Sequence, residues 1–261
     1  MMKLSVTLLL ACVALSSAAS LKQELTKSVD RSGRIAGGGP ARPDQIPYQV
    51  ALLTAADGLH YCGGSILNRR WVLTAGACVI GKAPSDIIVF AGSNQLNERG
   101  QSRRVDRTVL HPNFDVELSH NDVAVVRVIE SFVFNNFIQP INMSAEYAAS
   151  GLNATVSGFG RESISNPGDG SLRFVQVQLI SQETCHEAFD ENYTPRLEDN
   201  TVCALGAEGE GICLGDAGGP LVYNGELIGV ISWGVPCGLG LPDVFARVSA
   251  HRGWVLVHTL I

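Results

Sequence analysis

From residue 48 onward, short apolar runs rich in β-branched residues alternate with turn residues. YQVALL (48–53), IIVF (87–90), DVAVVRVI (122–129), ATVSGF (154–159), RFVQVQLI (173–180), LIGVISW (227–233) and VFARV (244–248) all read as strands. AGSN (91–94), NPGDG (166–170) and YNGE (223–226) lie between them, and Asn224-Gly225 is a strong hairpin signal. Many strands at short spacing with Gly-rich turns predict an all-β barrel or sandwich. A helical pattern occurs only at the end, over 250–261, with Trp254, Val257 and Ile261 on one face. There is no internal repeat and no low-complexity tract.

The first residues follow a different logic. Lys3, the apolar run from Leu4 to Leu15, and Ser17-Ala18-Ala19 have the layout of a secretory signal with its cleavage site, over 1–19. The run is too short to span a bilayer. Residues 20–34 are polar and aperiodic and read as a removable pro-segment ending at Arg34. The chain is thus expected to be secreted and extracellular. Of seven cysteines, Cys12 leaves with the signal, and six stay: Cys62, Cys78, Cys185, Cys203, Cys213 and Cys237. An even number in a secreted chain predicts three disulfides, with the pairing open at this point. No CxxC spacing or His cluster supports a zinc site.

Charge narrows the partners. The net charge is −6, and the first 34 residues hold five Lys/Arg and two Asp/Glu, which leaves 14 basic against 23 acidic residues. Such an acidic body repels nucleic acid and anionic membranes, so neither is an expected partner. Arg99, Arg103, Arg104 and Arg107 form a small basic cluster that reads as a solvated strand face. Glu98 stands alone among these arginines, so no calcium site is expected, and no cofactor is implied. Asn142, Asn153 and Asn192 each begin a glycosylation sequon.

Five stretches occur in order along most of the chain: Arg34-Ile35-Ala36-Gly37-Gly38, Tyr61-Cys62-Gly63-Gly64-Ser65, Trp71-Val72-Leu73-Thr74-Ala75-Gly76-Ala77-Cys78, Asn121-Asp122-Val123-Ala124-Val125, and Gly215-Asp216-Ala217-Gly218-Gly219-Pro220 followed by Ser232-Trp233-Gly234. Together they resemble the trypsin/chymotrypsin family of serine proteases. The resemblance implies two six-stranded antiparallel barrels, roughly 35–145 and 146–261, closed by a C-terminal helix, with a cleft between them. It implies the pairs Cys62–Cys78, Cys185–Cys203 and Cys213–Cys237. It also implies a zymogen: cutting after Arg34 would free the Ile35 ammonium to pair with the buried carboxylate of Asp216.

Two departures bear on chemistry. Ala77 stands where active members carry the catalytic His and Ala217 where they carry the nucleophilic Ser, while Asp122 keeps the third place of the triad. Alanine neither accepts a proton nor attacks a carbonyl. Loss of either group in a triad enzyme costs roughly a millionfold in turnover, about 8 kcal/mol. His60, His111 and His120 read as structural, and no Ser or Cys lies beside Ala217. The expectation from sequence is therefore a chain that is not an enzyme. It would be a monomeric binder of a peptide or protease inhibitor, or a regulator of an active protease. The alternative is a serine endopeptidase with residual or unconventional activity.

The substrate-binding residues transfer by position. Gly215 and Ala217 supply backbone N–H groups for an oxyanion hole, and Ser232, Trp233 and Gly234 an exposed edge for peptide pairing. Gly211 replaces the Asp that trypsin-like members place at the pocket base. Asp243 falls where many members have Gly, a combination similar to the arthropod brachyurin subgroup with its broad pocket. The alternative for Asp243, read as a residue alone, is a solvated loop charge. Asp122, without its imidazole, is expected to titrate above the ordinary carboxylate range.

Overall fold

A computed structural model describes residues 35–166 and 168–260. Arg34, the signal and the pro-segment lie outside the described residues, as does Ile261. The chain enters through β1 (Gly39–Pro40) and then builds a closed barrel from β2 (Gln49–Thr54), β3 (His60–Ile66), β4 (Trp71–Thr74), β5 (Ile87–Ala91), β6 (Gln101–Leu110) and β7 (Ala124–Val128). The order β2-β3-β4-β7-β6-β5 closes by β5 pairing with β2, and every pairing is antiparallel.

The short β8 (Asn142–Met143) leads to β9 (Asn153–Gly158), β10 (Arg173–Ile180), helix α1 (Gln182–Ala188), β11 (Thr201–Leu205), β12 (Pro220–Tyr223), β13 (Glu226–Trp233), β14 (Asp243–Arg247) and helix α2 (Val248–Thr259). Strands β9-β10-β11-β14-β13-β12 form a second closed six-stranded barrel, because β12 and β10 both pair with β9. Strand β1 pairs with β10, so residues 39–40, expected in the first barrel, belong to the second sheet. Strand β11 pairs with β10 only over Gln178–Ile180, so the Arg173–Phe174 end of β10 has a free edge, which β1 takes.

The pattern of burial explains the strands. Along β10, Val175, Val177 and Leu179 point inward, while Gln176 and Gln178 face solvent. The hairpin at Asn224-Gly225 forms with both residues at positive φ, the backbone a tight two-residue turn requires. Helix α1 escaped the strand-based reading, because its seven residues are too few to show a period. Ser181 announces it by accepting the Thr184 N–H at its N-terminus. Helix α2 buries Val248, His251, Val255 and Thr259; of the stripe expected from sequence, Trp254 packs on the core, Val257 is 73% exposed and Ile261 lies outside the described residues.

The three disulfides pair as the family resemblance implies: Cys62–Cys78, Cys185–Cys203 and Cys213–Cys237. Each closes a short loop, a constraint worth about 3 kcal/mol against the unfolded chain. No helix among the described residues is long and apolar enough to cross a membrane.

The barrels meet backbone to backbone. Gly63 N–H donates to Ala217 O at 2.7 Å, and Thr74 Oγ1 donates to Gly63 O at 2.8 Å. Gly218 sits against this junction at φ +82°, where a side chain would collide with Thr74 Oγ1 and lie 2.5 Å from Gly63 O. A buried bond from Ser157 Oγ to Gln49 Oε1 adds a second tie between the barrels. Gly218→Ala should therefore cost more than about 3 kcal/mol in urea unfolding, from collision plus an unfavourable φ. Gly240→Ala, at the same φ but with nothing within 4 Å of the added carbon, should cost about 1 kcal/mol. Equal costs at the two positions would show that the junction is not tightly packed.

Candidate active site

The site forms where loops of both barrels converge on the turn 213–219. Ala77 lies in a single 3-10 turn, Gly76–Cys78, directly after β4. Its N–H donates to Asp122 Oδ1 at 2.8 Å, and Ser232 Oγ donates to Asp122 Oδ2 at 2.6 Å. The third triad position is thus buried and held from both sides, with Ala77 beside it through backbone alone. Burial is the main influence on Asp122 and pushes its pKa above the ordinary range, against these hydrogen bonds.

The Gly215–Gly219 turn keeps its shape without a side chain at 217. Gly215 is at φ +96°, Gly219 N–H donates to Asp216 O, and Gly218 N–H donates to Ile231 O. Neither Gly215 N–H nor Ala217 N–H donates to another described residue. Both are free to serve an oxygen in the cleft.

Asp216 points the other way, into the second barrel, and is 0% exposed. It accepts the N–H groups of Gly160 and Cys213, each at 2.9 Å, yet burial still raises its pKa to about 7. Gly158 and Gly160 leave the room its carboxyl needs. Ile35 is fully buried in the same barrel's core with Ile212 and Ile231, at φ +45°, and Ala36 bridges Gly211. Left-handed backbone is strained for a β-branched residue.

A cavity of about 180 Å³ opens beside the turn, lined by Cys213, Ala217, Ser232, Trp233, Gly234 and neighbouring residues. Asp243 is packed behind the lining residues Ile212 and Gly234, 3% exposed, so it is no solvated loop charge. Its Oδ2 accepts the Ile212 N–H at 2.8 Å. A side chain at Gly211 would lie 2.8 Å from Oδ2, and one at Gly234 would lie 2.9 Å from Oδ1. The two glycines leave room for the carboxyl, and of the two Gly234 lines the cavity. Burial first, and then the charge of Asp216, raise the Asp243 pKa to about 7.

The other candidates separate from this group. His60 packs edge-on to Phe159 at 6.0 Å, and burial lowers its pKa to about 4. It lies behind Gly215, against that residue's Cα side. His111 packs against His251 and Trp254, whereas His120 binds Pro195 O and Glu198. Among the described residues no group of His, Cys, Asp or Glu side chains is arranged to hold a metal. Arg104 of the basic cluster pairs with Glu130 at the surface. Asn142, Asn153 and Asn192 are all exposed. Sequence reasoning missed Arg196, which lies on the Trp233 ring within electrostatic reach of Asp122. No motif marks it, since its place depends on a loop fold.

Asp216 and Asp243 fix a pH dependence. Both hold protons more tightly folded than unfolded, so between about pH 4 and 7 the folded chain carries the extra protons. Stability is then highest at the acid side of this window and falls as pH rises through it. Three pKa units on Asp216 correspond to about 4 kcal/mol. Urea unfolding of the uncut chain should give a lower free energy at pH 8 than at pH 5, and Asp243→Asn should shrink the difference. A profile that rises with pH would contradict this assignment.

Comparison with known proteins places the chain. The trypsin family profile matches residues 35–255. Trypsin delta of Drosophila erecta is 34% identical over 97% of this chain and 98% of its own. Trypsin 5G1 of Aedes aegypti is 37% identical over 86% and 84%, and Chymotrypsin-2 of Vespa crabro 33% identical over 85% and 98%. These relatives correct the expectation that the chain is not an enzyme. They match it over most of its length and carry the names of trypsins and a chymotrypsin, which points to an enzyme. The physical reason is that fold, pocket and backbone donors supply part of the catalysis independently of the side chains at 77 and 217. The chain belongs to the trypsin family of serine proteases.

Proposed function

We propose that the chain takes an extended polypeptide into its cleft, seats a basic side chain against Asp243, and supports peptide hydrolysis at a residual rate. The observation that carries this reading is Asp243, a buried carboxyl packed against Gly211 and directly behind the pocket-lining Ile212 and Gly234. A carboxylate reached past Gly234, with glycine and not an acid at 211, would leave depth for apolar side chains as well, as in the broad pocket of the brachyurin-like pattern. Backbone pairing would run along Ser232–Gly234, with the peptide carbonyl at the N–H groups of Gly215 and Ala217.

The rate follows from the side chains present. Ala77 offers no base and Ala217 no nucleophile, so the oxyanion donors and binding remain, worth roughly a thousandfold over water. Protein protease inhibitors present the same extended segment and are a natural partner class. Cleavage after Arg34 would place a new ammonium near Asp216, remove the strained φ at Ile35 and favour the carboxylate form. Disulfides and a signal-like start fit release to an oxidising, extracellular fluid, where the exposed sequon asparagines could carry glycans.

The test is binding of p-aminobenzamidine, a flat cation that fluoresces in such pockets, to the chain cut after Arg34. A cation favours ionised Asp243, so affinity should rise as pH increases through about 7. Asp243→Asn should weaken binding by more than about tenfold. Binding unaffected by that substitution would remove Asp243 from the pocket.

A further inference from the structure

The indole of Trp233 directly follows Ser232 and precedes Gly234, so a peptide on this edge would lay side chains over it. In this chain that face is already covered. Trp233 is 7% exposed, with the Arg196 guanidinium carbon 4.2 Å from its ring centroid, Tyr193 stacked at 6.1 Å and Phe189 at 5.1 Å. Arg196 is also latched across the cleft: one of its terminal NH₂ groups donates to Ser119 Oγ at 2.6 Å.

The latch is one of several ties between the same two loops. His120 Nε2 meets Pro195 O at 2.9 Å, His120 Nδ1 meets Glu198 Oε1 at 3.2 Å, and Asn200 Nδ2 donates to Asn121 Oδ1 at 3.1 Å. Ser119 and Asn121 flank His120 at φ +57° and +52°, left-handed conformations held in place by these bonds. The first barrel's 119–121 loop and the second barrel's 194–200 segment thus form a clasp, with Arg196 as its flat inner plate. A planar guanidinium both stacks on an indole and forks toward a hydroxyl, which a lysine could not do at once.

We propose that Arg196 is a specificity-determining residue. By occupying the Trp233 face it excludes aromatic side chains from the cleft next to the pocket, and it admits peptides with small residues there. This rests on the reading that a peptide lies along Ser232–Gly234. Aromatic side chains lose most from the exclusion, because an open indole would reward them beyond their buried area.

The experiment compares wild type with Arg196→Ala, using two tetrapeptide amides ending in arginine. One has phenylalanine at both alternate positions before the arginine, the other glycine. Arg196→Ala should tighten the phenylalanine peptide about tenfold and change the glycine peptide less than about twofold. Acrylamide quenching of Trp233, taken as the difference from Trp233→Phe, should rise in Arg196→Ala. Ser119→Ala and Arg196→Lys, which cut the latch but keep a long side chain, should show smaller rises and serve if the alanine variant fails to fold. An unchanged phenylalanine-to-glycine ratio, or Trp233 equally shielded without Arg196, overturns the proposal. p-Aminobenzamidine contacts only the pocket, so its failure to bind either protein would count against the Asp243 reading, while Trp233 quenching still decides the clasp.

Discussion

Two closed barrels can share one cleft only if their backbones touch, and here they touch where Gly63 gives its N–H to Ala217 O. That bond sets the height of the 213–219 turn above the first barrel. Gly218, left-handed and without a side chain, is what allows the approach. Everything chemical in the site hangs from this turn. Gly215 and Ala217 line the cavity with N–H groups that no described residue accepts, Asp216 turns into the core, and Cys213 is tied to Cys237 beside the pocket. None of these features uses the side chain at 217, so the turn stands with alanine there.

The same frame buries three carboxyls within one small region. Asp122, Asp216 and Asp243 are each held by backbone N–H groups, and burial raises the pKa of each. Isolated buried charges are costly, so each carboxyl invites a cation. For Asp216 the freed N-terminus would serve, and for Asp243 a basic side chain in the pocket. For Asp122 the neighbours are Ala77 N–H and Ser232 Oγ, with Arg196 as a more distant positive charge. Buried carboxyls thus persist around alanines at 77 and 217 that cannot move a proton.

Much of this was legible in the sequence. Strand runs such as RFVQVQLI announce a half-buried sheet by alternation, and Asn224-Gly225 fixes its hairpin. The motif around Asp216 and Ala217 locates the site, because glycines at close backbone contacts leave a visible signature. Legibility failed where position depends on distant packing. Helix α1 is too short to show a period. Val257 fits an apolar stripe, yet the helix face that packs is set by the barrels beneath it. Asp243 could be a solvated loop charge until the fold buried it against Ile212 N–H and Gly234. Arg196 carried no signal, since it reaches Trp233 only after two loops fold toward each other. The chain's enzymatic standing was also misjudged from Ala77 and Ala217 alone, when matches of trypsins over most of the chain bear on it as well.

The central claim is that cleft, pocket and backbone donors are organised for peptide hydrolysis, with Ala77 and Ala217 limiting its rate. The most direct measurement is turnover of an arginine-ending peptide amide by the chain cut after Arg34, with and without the pair Ala77→His and Ala217→Ser. The account predicts a gain of at least about a thousandfold in kcat, since a base beside Asp122 and a nucleophile beside Gly215 complete the catalytic set. A folded, cut double variant no faster than its parent would contradict it.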